Sequence, residues 1–472
     1  MSVDRQIRCP VHGFIHLHAE HADIVASRAF QRLRGIRQLA FANLVYPGAL
    51  HTRFDHSLGV YHVAQLLGKQ LKLSSSELGL VQLAALVHDL GHGPFSHVSE
   101  NVLERYADRE KLAGRIKSKE KIHELVTADI VLADDELAQC TTPKDRERVV
   151  SLLTAAYGEP LLRDLVSGPL DADKQDYLLR DSMFCGVQYG VFDLHQLHRS
   201  LCVGEQGEEK SLMIKATGVH ALEQFILAKY YLTTQVYGHR VRLITDHMLT
   251  RAVVLGIEVD GIDELRALYA YDGEPSFAER YAEWDDARLL LTYTDQKFEG
   301  KYCHKLLTRL VRRRLLKQVF ARPVTKEVFL DEHVRDALAR LTGSEDKPDE
   351  REQQEKLRAR LEDALAEAIS ETLEAEVDPR LVVLNLYTVK SVRAQSREDE
   401  KAVLVDGPPQ PVPFEERSTL FRSIDQRMDE TVVEVYAPVA YETEAEKRTL
   451  LNLLHDPMMA VLQDHLSQGG EA

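Results

Sequence analysis

The segment from Leu83 to His97 constrains this chain more than any other. A run of apolar residues, typical of a buried helix, passes directly into His88 and Asp89. Burying an unpaired carboxylate or imidazolium at the end of an apolar helix is costly. A divalent metal ion removes that cost, because it neutralises the carboxylate and binds the imidazole lone pair. The Gly-His-Gly-Pro sequence that follows predicts a tight turn that returns His92 and His97 to the same point.

Two further segments supply candidate ligands. His56 lies where a loop enters a predicted helix, and Asp173 lies where another predicted helix begins. A lone His-Asp pair would usually be an ordinary helix-end pair. Two histidines and two aspartates from three helices, however, match an octahedral N/O site with open positions for water and substrate. We therefore predict that His56, His88, Asp89 and Asp173 hold Fe, Mn, Ni, Co, Zn or Mg.

The spacing of apolar residues predicts a mainly α fold with a smaller α+β region at its C-terminal end. Strands are expected at 382–389 and 431–437, and a short hairpin at 202–215. Helices are expected at about 22–41, 57–71, 77–90, 95–106, 122–136, 145–157, 171–184, 191–201, 218–255, 276–320 and 344–375.

Composition excludes some classes of function. The net charge of -16 repels nucleic-acid phosphates, which argues against a dedicated duplex binder but not against a small phosphate site. Apolar runs fall short of the ~20 residues that a membrane span needs, and the first residues lack the apolar core of a signal peptide. We expect a cytoplasmic protein that does not enter membranes.

The ordered pattern of His56, His88-Asp89 and Asp173 resembles the HD superfamily. Longer runs resemble its deoxynucleoside triphosphate (dNTP) triphosphohydrolase branch over about residues 9–190. These runs include Pro10-Val-His-Gly, Phe30-Gln-Arg-Leu-Arg, Arg53-Phe-Asp-His-Ser-Leu-Gly-Val, His88-Asp-Leu-Gly-His-Gly-Pro-Phe-Ser-His and Asp173-Lys-Gln-Asp-Tyr-Leu-Leu-Arg-Asp.

The resemblance implies a fold and an activity. An HD-domain helical bundle would occupy residues 1–256. The sequence pattern itself, which changes after about residue 257, predicts a helical extension at 257–340 and an α+β region at 341–472. A metal-activated water would attack the α-phosphorus of a dNTP, giving deoxynucleoside and tripolyphosphate. The family also implies a homo-oligomer (dimer, tetramer or hexamer) and a possible nucleotide activator.

The resemblance also implies individual roles. His97 would protonate the leaving 5′-oxygen, with Glu100 and His123 nearby, while His92 would either join the proton transfer or hydrogen-bond structurally. The substrate contacts that it implies are Arg53, Lys174 and Lys229 to phosphates, Tyr177 along the sugar, Gln38 and Asp181 to the 3′-hydroxyl, Leu39 below the ring and Tyr237 against the 2′ position.

A regulatory nucleotide site is implied at Gln31 and Arg34. Ala26 replaces a family aspartate that reads guanine there, which leaves open another activator or none. Most of the four histidines at 12, 16, 18 and 21 are expected to be residues of an N-terminal strand or turn, and a metal site there is not favoured.

Two other functions stay open at this point. One is another HD nucleotide phosphohydrolase, acting stepwise or on ribonucleotides or cyclic nucleotides. The second is a nucleotide-sensing or nucleic-acid-binding protein with a vestigial site. The sequence disfavours the second, because competent residues occupy all four ligand positions.

Overall fold

The computed structural model describes residues 5–115, 121–154, 159–206, 209–342, 348–389, 402–407, 410–424 and 429–467. The strands are β1 Arg5–Cys9, β2 Gly13–Leu17, β3 Leu201–Gln206, β4 Glu209–Lys215, β5 Lys317–Pro323, β6 Val383–Val389, β7 Leu404–Asp406, β8 Val412–Pro413 and β9 Glu430–Ala437.

The α-helices are α1 Ala19–Ala26, α2 Arg28–Arg32, α3 Arg53–Gln70, α4 Ser75–Val87, α5 His97–Tyr106, α6 Arg109–Leu112, α7 Ile122–Ala133, α8 Asp135–Cys140, α9 Pro143–Leu153, α10 Pro160–Ser167, α11 Ala172–Cys185, α12 Leu194–Ser200, α13 Val219–Leu232, α14 Arg240–Glu258, α15 Asp263–Tyr269, α16 Pro275–Tyr281, α17 Asp286–Tyr293, α18 Tyr302–Val311, α19 Glu332–Arg340, α20 Pro348–Leu373, α21 Phe414–Arg417, α22 Thr419–Ser423 and α23 Glu444–Ser467.

The mainly helical fold class is confirmed, and most predicted helices are present with ends shifted by a few residues. The predicted hairpin is also confirmed: β3 and β4 pair in antiparallel register. Its turn residues 207–208 lie outside the described residues. Among the helices that the structure describes, none is both long and apolar enough to cross a membrane.

Three predicted helices were wrong as continuous elements. The one at 22–41 is broken at Ser27, which is extended at φ -62° and ψ 150° and caps α2 by accepting from the Phe30 N–H. The one at 218–255 is interrupted by a π-helical turn, Thr233–Tyr237, before His239 caps α14. The one at 276–320 consists of α16, α17 and α18, and its last residues belong to β5.

The chain packs as two compact units. Unit 1 comprises Met1–Arg312 and Val392–Ile424, and unit 2 comprises Arg313–Ser391 and Asp425–Ala472. The later segment joins unit 1 because β7 pairs in parallel with β4, and β8 pairs with β7. The predicted domain boundaries after residues 256 and 340 stay a prediction. The two compact units are instead divided after residues 312, 391 and 424.

In unit 2, strand β9 lies between β5 and β6 in an antiparallel sheet. Its apolar core contains Val433 and Val435 from β9 together with Leu365 and Leu454 from helices α20 and α23. Alternation along β9 places these valines on one face of the sheet, which is the face that the helices cover.

In unit 1, helix α3 packs closely against both α4 and α11. Most of its residues are buried, including His56 and Gly59. A Cβ atom at Gly59 would lie 1.9 Å from Asp176 Oδ1 and 2.2 Å from an Arg180 nitrogen. The glycine therefore allows α3 and α11 to approach closely, and this approach brings the candidate ligands of the two helices together.

Candidate metal centre

Local capping fixes where each candidate ligand emerges from its helix. The Thr52 N–H donates to the Asp55 carboxylate at 2.9 Å, which starts α3 and places His56 in its first turn. The Lys174 N–H donates to Asp171 at 2.7 Å, which starts α11 and places Asp173 as its second residue. His88 is the residue at which α4 ends.

The four predicted ligands converge at one point. His56 Nε2 lies 2.9 Å from Asp173 Oδ1 and 3.8 Å from Asp89 Oδ2. His88 Nε2 lies 3.3 Å from Asp89 Oδ1 and 3.9 Å from Asp173 Oδ1. The ligand atoms of His56, His88 and Asp173 lie close enough together to hold one cation between them, and Asp89 lies beside both histidines.

The hydrogen bonds of His88 suit a metal ligand. Its Nδ1 lies 2.8 Å from the carbonyl oxygen of Ala85, which can only accept, so Nδ1 carries the proton. Its buried Nε2 therefore presents a lone pair, and it has no hydrogen-bond partner among the described residues. A cation at this point would satisfy that atom.

The His56 ring is held by a second carboxylate at the nitrogen that points away from the other candidate ligands. Its Nδ1 lies 2.8 Å from Asp176 Oδ2, so both ring nitrogens face carboxylates. Burial lowers the pKa of His56, but the hydrogen bonds to Asp173 and Asp176 raise it to about 10. The second proton lies at Nε2, the position that a bound cation would take. The donor set therefore fits a divalent metal ion.

Asp176 contacts the candidate ligand His56 and was not among the residues predicted from the sequence. It is fully buried and also contacts His12 Nε2 at 2.6 Å and the Arg180 guanidinium at 2.7 Å. Burial raises the pKa of Asp176, but Arg180 and His12 hold it well below its ordinary range. Its position three residues after Asp173, on the same side of α11, was the available signal.

Arg53 lies beside the candidate ligands. Its NH1 donates to Asp89 Oδ2 at 2.8 Å, and its Nε donates to Ser96 Oγ at 2.9 Å. Burial raises the pKa of Asp89, but Arg53 and His88 hold it well below its ordinary range. The Asp89 carboxylate is therefore anionic and lies between Arg53 and the candidate metal position.

The four predicted proton-transfer residues form one group. Glu100 lies 3.0 Å from His97 Nδ1, 3.5 Å from His123 Nδ1 and 2.6 Å from Lys121 Nζ. His92 stacks on His123 with ring centroids 4.2 Å apart, and its Nε2 lies 3.3 Å from Asp89 Oδ1. His97 itself is half-exposed. The group therefore connects the metal position to the accessible side chain of His97.

Comparison with known proteins identifies the family. The family described as HD domain matches residues 53–155, which contain three of the four converging ligands. The HD associated region matches residues 192–457, more than half of the chain. The chain belongs to the HD-domain family.

Individual relatives of this HD-domain protein include one named enzyme. This chain is 35% identical to the uncharacterized protein YwfO of Bacillus subtilis, over 53% of this chain and 55% of that protein. It is 32% identical to the deoxynucleoside triphosphate triphosphohydrolase SAMHD1 of Gallus gallus, over 52% of this chain and 44% of that protein. The chain spans about half the length of the curated relatives it matches.

A solved structure resembles the HD-domain protein over nearly its whole length. The crystal structure of a hypothetical protein from Aquifex aeolicus matches with a TM-score of 0.65 and 25% sequence identity. The match covers 97% of this chain and 100% of that one. The likeness therefore extends well beyond the HD domain.

In this HD-domain protein a second group of predicted residues lies along α11. Tyr177 and Asp181 follow Asp173 at intervals of four, which places all three on one face of the helix. The Tyr237 hydroxyl donates to Asp181 Oδ2 at 2.5 Å, and His51 Nε2 lies 2.7 Å from Asp181 Oδ1. His51, which sequence reasoning missed, thus holds a predicted substrate contact.

The remaining predicted substrate residues are less tightly grouped. Gln38 and Leu39 are buried, and Gln38 Oε1 has no hydrogen-bond partner within the described part of the chain. The Lys174 ammonium donates to Gly168 O and to Asp171, so it points to the start of α11. Lys229 is half-buried on α13. A role in phosphate binding stays a prediction for both lysines.

The predicted regulatory residues contact each other. Arg34 Nε donates to Gln31 Oε1 at 2.8 Å, and the Arg34 guanidinium lies 3.4 Å from the centroid of the Phe54 ring. Gln31 also donates to Val25 O at 2.6 Å. An incoming nucleotide would compete with these contacts.

Proposed function

We propose that this protein cleaves dNTPs to deoxynucleoside and tripolyphosphate. The observation that carries the proposal is the face of α11 on which Asp173, Tyr177 and Asp181 lie one turn apart. Because α11 is a regular helix, it would fix the distance between the metal position at Asp173 and the sugar position at Tyr177 and Asp181. A nucleotide substrate requires such a fixed distance. The likeness to the triphosphohydrolase SAMHD1 supports the same conclusion.

The metal centre would supply Lewis-acid chemistry. His56, His88, Asp89 and Asp173 would hold a divalent cation, whose charge lowers the pKa of a coordinated water. Fe, Mn, Ni, Co, Zn and Mg all accept such a donor set. Arg53, already paired with Asp89, adds a fixed positive charge for the phosphoryl oxygens.

His97 is suited to protonate the leaving 5′-oxygen. Its Nδ1 faces the Glu100 carboxylate, and its Nε2 accepts from Arg53 NH2 at 3.4 Å, so Nε2 would deliver a proton once the imidazole has taken up its second proton there. Burial raises the pKa of Glu100, but His123 and His97 hold it well below its ordinary range, so the carboxylate stays anionic. Burial, together with the nearby Arg53 charge, lowers the pKa of His97, and the anionic Glu100 offsets part of this lowering and fixes the orientation of the ring.

Tyr237 and Asp181 would select the sugar. The half-buried Tyr237 ring lies 6.3 Å from the Tyr177 ring, centroid to centroid. With its hydroxyl bound to Asp181, Tyr237 is held in one position and would crowd a ribose 2′-hydroxyl. Asp181, together with Gln38, would bind the 3′-hydroxyl.

Product analysis tests the proposal. Each dNTP, each NTP and a cyclic nucleotide is incubated with the protein and Mn, Mg or Co, and the products are separated. We expect equal amounts of deoxynucleoside and tripolyphosphate from dNTPs and at least about tenfold slower turnover of NTPs. Release of inorganic phosphate alone, or preferential cleavage of cyclic nucleotides, would favour another HD phosphohydrolase activity.

The proposal includes homo-oligomeric assembly and a nucleotide activator that contacts Gln31 and Arg34. Sedimentation with and without mixed dNTPs measures assembly, and rates with single and mixed substrates measure activation. An Arg34→Ala variant should keep its basal rate and lose the stimulation by mixed dNTPs. Equal stimulation of both proteins would remove Arg34 from the activator site.

A further inference from the structure

The two residues before His97 adopt an unfavourable backbone conformation. Phe95 has a φ of 62°, and Ser96 has a φ of 54° with a ψ of -118°. Non-glycine residues rarely adopt positive φ, because the side chain then crowds the backbone. A turn of this kind persists only where surrounding contacts hold it.

Asp286, the first residue of α17, supplies one such contact. Its Oδ1 accepts the Phe95 N–H at 2.6 Å, and its Oδ2 accepts the Arg37 N–H at 3.1 Å. The side chain is buried, with the residue 6% exposed. Without this carboxylate, both N–H groups would be buried with no hydrogen-bond acceptor. The carboxylate therefore stabilises the positive-φ turn relative to other backbone conformations of the same residues.

The turn is tied to the candidate active site through Ser96. Its hydroxyl donates to Arg37 O at 2.7 Å and accepts from Arg53 Nε at 2.9 Å. Arg37, the Phe95–Ser96 turn and Arg53 are therefore parts of one hydrogen-bonded arrangement. His97 begins α5 directly after this turn, so the direction of its side chain depends on the turn.

We propose that Asp286 is a positioning residue for His97, which it holds in place through the Phe95–Ser96 turn. The inference rests on the proposed function, since it takes His97 as the proton donor. Asp286 lies 191 residues along the chain from Phe95, within the HD-associated region. That region thus contributes to the active site through a residue that does not touch substrate.

The test uses Asp286→Asn in the full chain. Asparagine keeps one acceptor oxygen but turns an N–H₂ group toward the second backbone N–H. Since displacement of a catalytic group by about 1 Å can cost 10²-fold, we expect kcat for dNTP to fall by about 10–100-fold with KM within about twofold. Asp285→Asn is the matched control, because Asp285 caps the same helix and asparagine caps equally well.

A double-variant cycle with His97→Ala separates positioning from general structural support. If Asp286 acts through His97, Asp286→Asn causes no further loss of kcat in the His97→Ala protein. An equal loss in both backgrounds would overturn the inference. Hydrogen exchange adds a readout besides activity: the Phe95 and Arg37 amides should exchange faster in Asp286→Asn, and unchanged exchange would also overturn the inference.

The same experiment distinguishes this inference from the proposed function. Full turnover by His97→Ala would overturn the proposed role of His97 and the inference with it. Normal turnover by Asp286→Asn beside an impaired His97→Ala would overturn the inference alone.

Discussion

At His56, both ring nitrogens face carboxylates. Asp176 orients the ring through Nδ1, and His12 and Arg180 hold Asp176. A hydrogen bond of this kind fixes the tautomer of a metal-binding histidine and raises its basicity. The candidate metal centre therefore includes a contact from a residue in the turn between β1 and β2, in addition to the candidate ligands.

Asp176→Asn is expected to weaken metal binding by about 10–100-fold, because the ring of His56 loses its anionic partner. Metal content after dialysis and titration with Mn measure this. Asp193→Asn, at the exposed cap of α12, is the control and should bind metal normally. Unchanged affinity in Asp176→Asn would show that Asp176 only supports packing.

Asp89→Ala is expected to lose bound metal and turnover together. It removes an anionic ligand and also leaves the buried Arg53 guanidinium without its 2.8 Å carboxylate partner. Because an unpaired buried charge is destabilising, melting temperatures are measured beside metal content and rate. A folded Asp89→Ala protein with full metal content and turnover would contradict the site assignment.

Tyr237→Ala is expected to admit ribonucleotides. Removing the ring opens the space beside the 2′ position, so the ratio of NTP to dNTP kcat/KM should rise by about 10–100-fold. Tyr231→Ala, at a neighbouring exposed tyrosine, should leave this ratio unchanged. If Tyr237→Ala keeps the parent ratio, Tyr237 does not select the sugar.

Residue-scale prediction depended on local patterns. His56, His88, Asp89 and Asp173 could be named because each lies in a short, recognisable run. Asp286 carries no such pattern, since its partners are backbone N–H groups far away in the sequence. Any carboxylate at this position could accept hydrogen bonds from the two backbone N–H groups. A single sequence therefore contains no motif that would identify Asp286.

At the element scale, the packing of α3 against α11 depends on Gly59. Any side chain there would overlap Asp176 and Arg180. The sequence predicted both helices but not which of their faces meet, because that depends on how close two backbones come. The broken helices show the same limit: Ser27 and the π-helical turn before His239 interrupt segments whose apolar spacing is continuous.

Gly59→Ala is expected to destabilise the protein by about 1–3 kcal/mol through overpacking and to weaken metal binding, because His56 moves away from Asp176. Gly79→Ala on α4 is the matched control: its Cβ would meet no atom within 4 Å, so alanine should stabilise by about 0.5–1 kcal/mol. Urea unfolding and metal titration measure both effects. Equal stability of the two variants would contradict the close approach of α3 and α11.

At the scale of the whole molecule, buried neutral histidines make stability depend on pH. His21 contacts the Tyr61 hydroxyl, and His198 contacts Gln175 at 2.6 Å. Burial lowers the pKa of both from 6.5 to about 4. Above pH 6.5 both are neutral in the folded and unfolded chain, whereas between pH 6.5 and 4 only the unfolded chain takes up the protons.

The free energy of unfolding should therefore fall as pH falls from 6.5 toward 4, by up to about 3 kcal/mol for each histidine. Urea unfolding at several pH values measures the slope. The double variant His21→Gln and His198→Gln should show a shallower slope, because glutamine does not titrate. An unchanged slope would assign the acid sensitivity to other groups.

The fold class and the C-terminal strands were predictable because their periodicity is local. The place of β7 in unit 1 was not predictable from the sequence, since this strand is three residues long and has no periodic pattern of its own. Its place is decided by the free edge of β4, which lies far away in the sequence.

That pairing has a consequence for how the protein is made. β7 leaves the ribosome about 190 residues after β4, a delay of roughly 10–40 s at about 5–20 residues per second. Throughout that interval the β4 edge presents unpaired backbone groups, which can pair with other chains. We expect nascent chains stopped before β7 to require chaperones and to aggregate more readily than the finished protein.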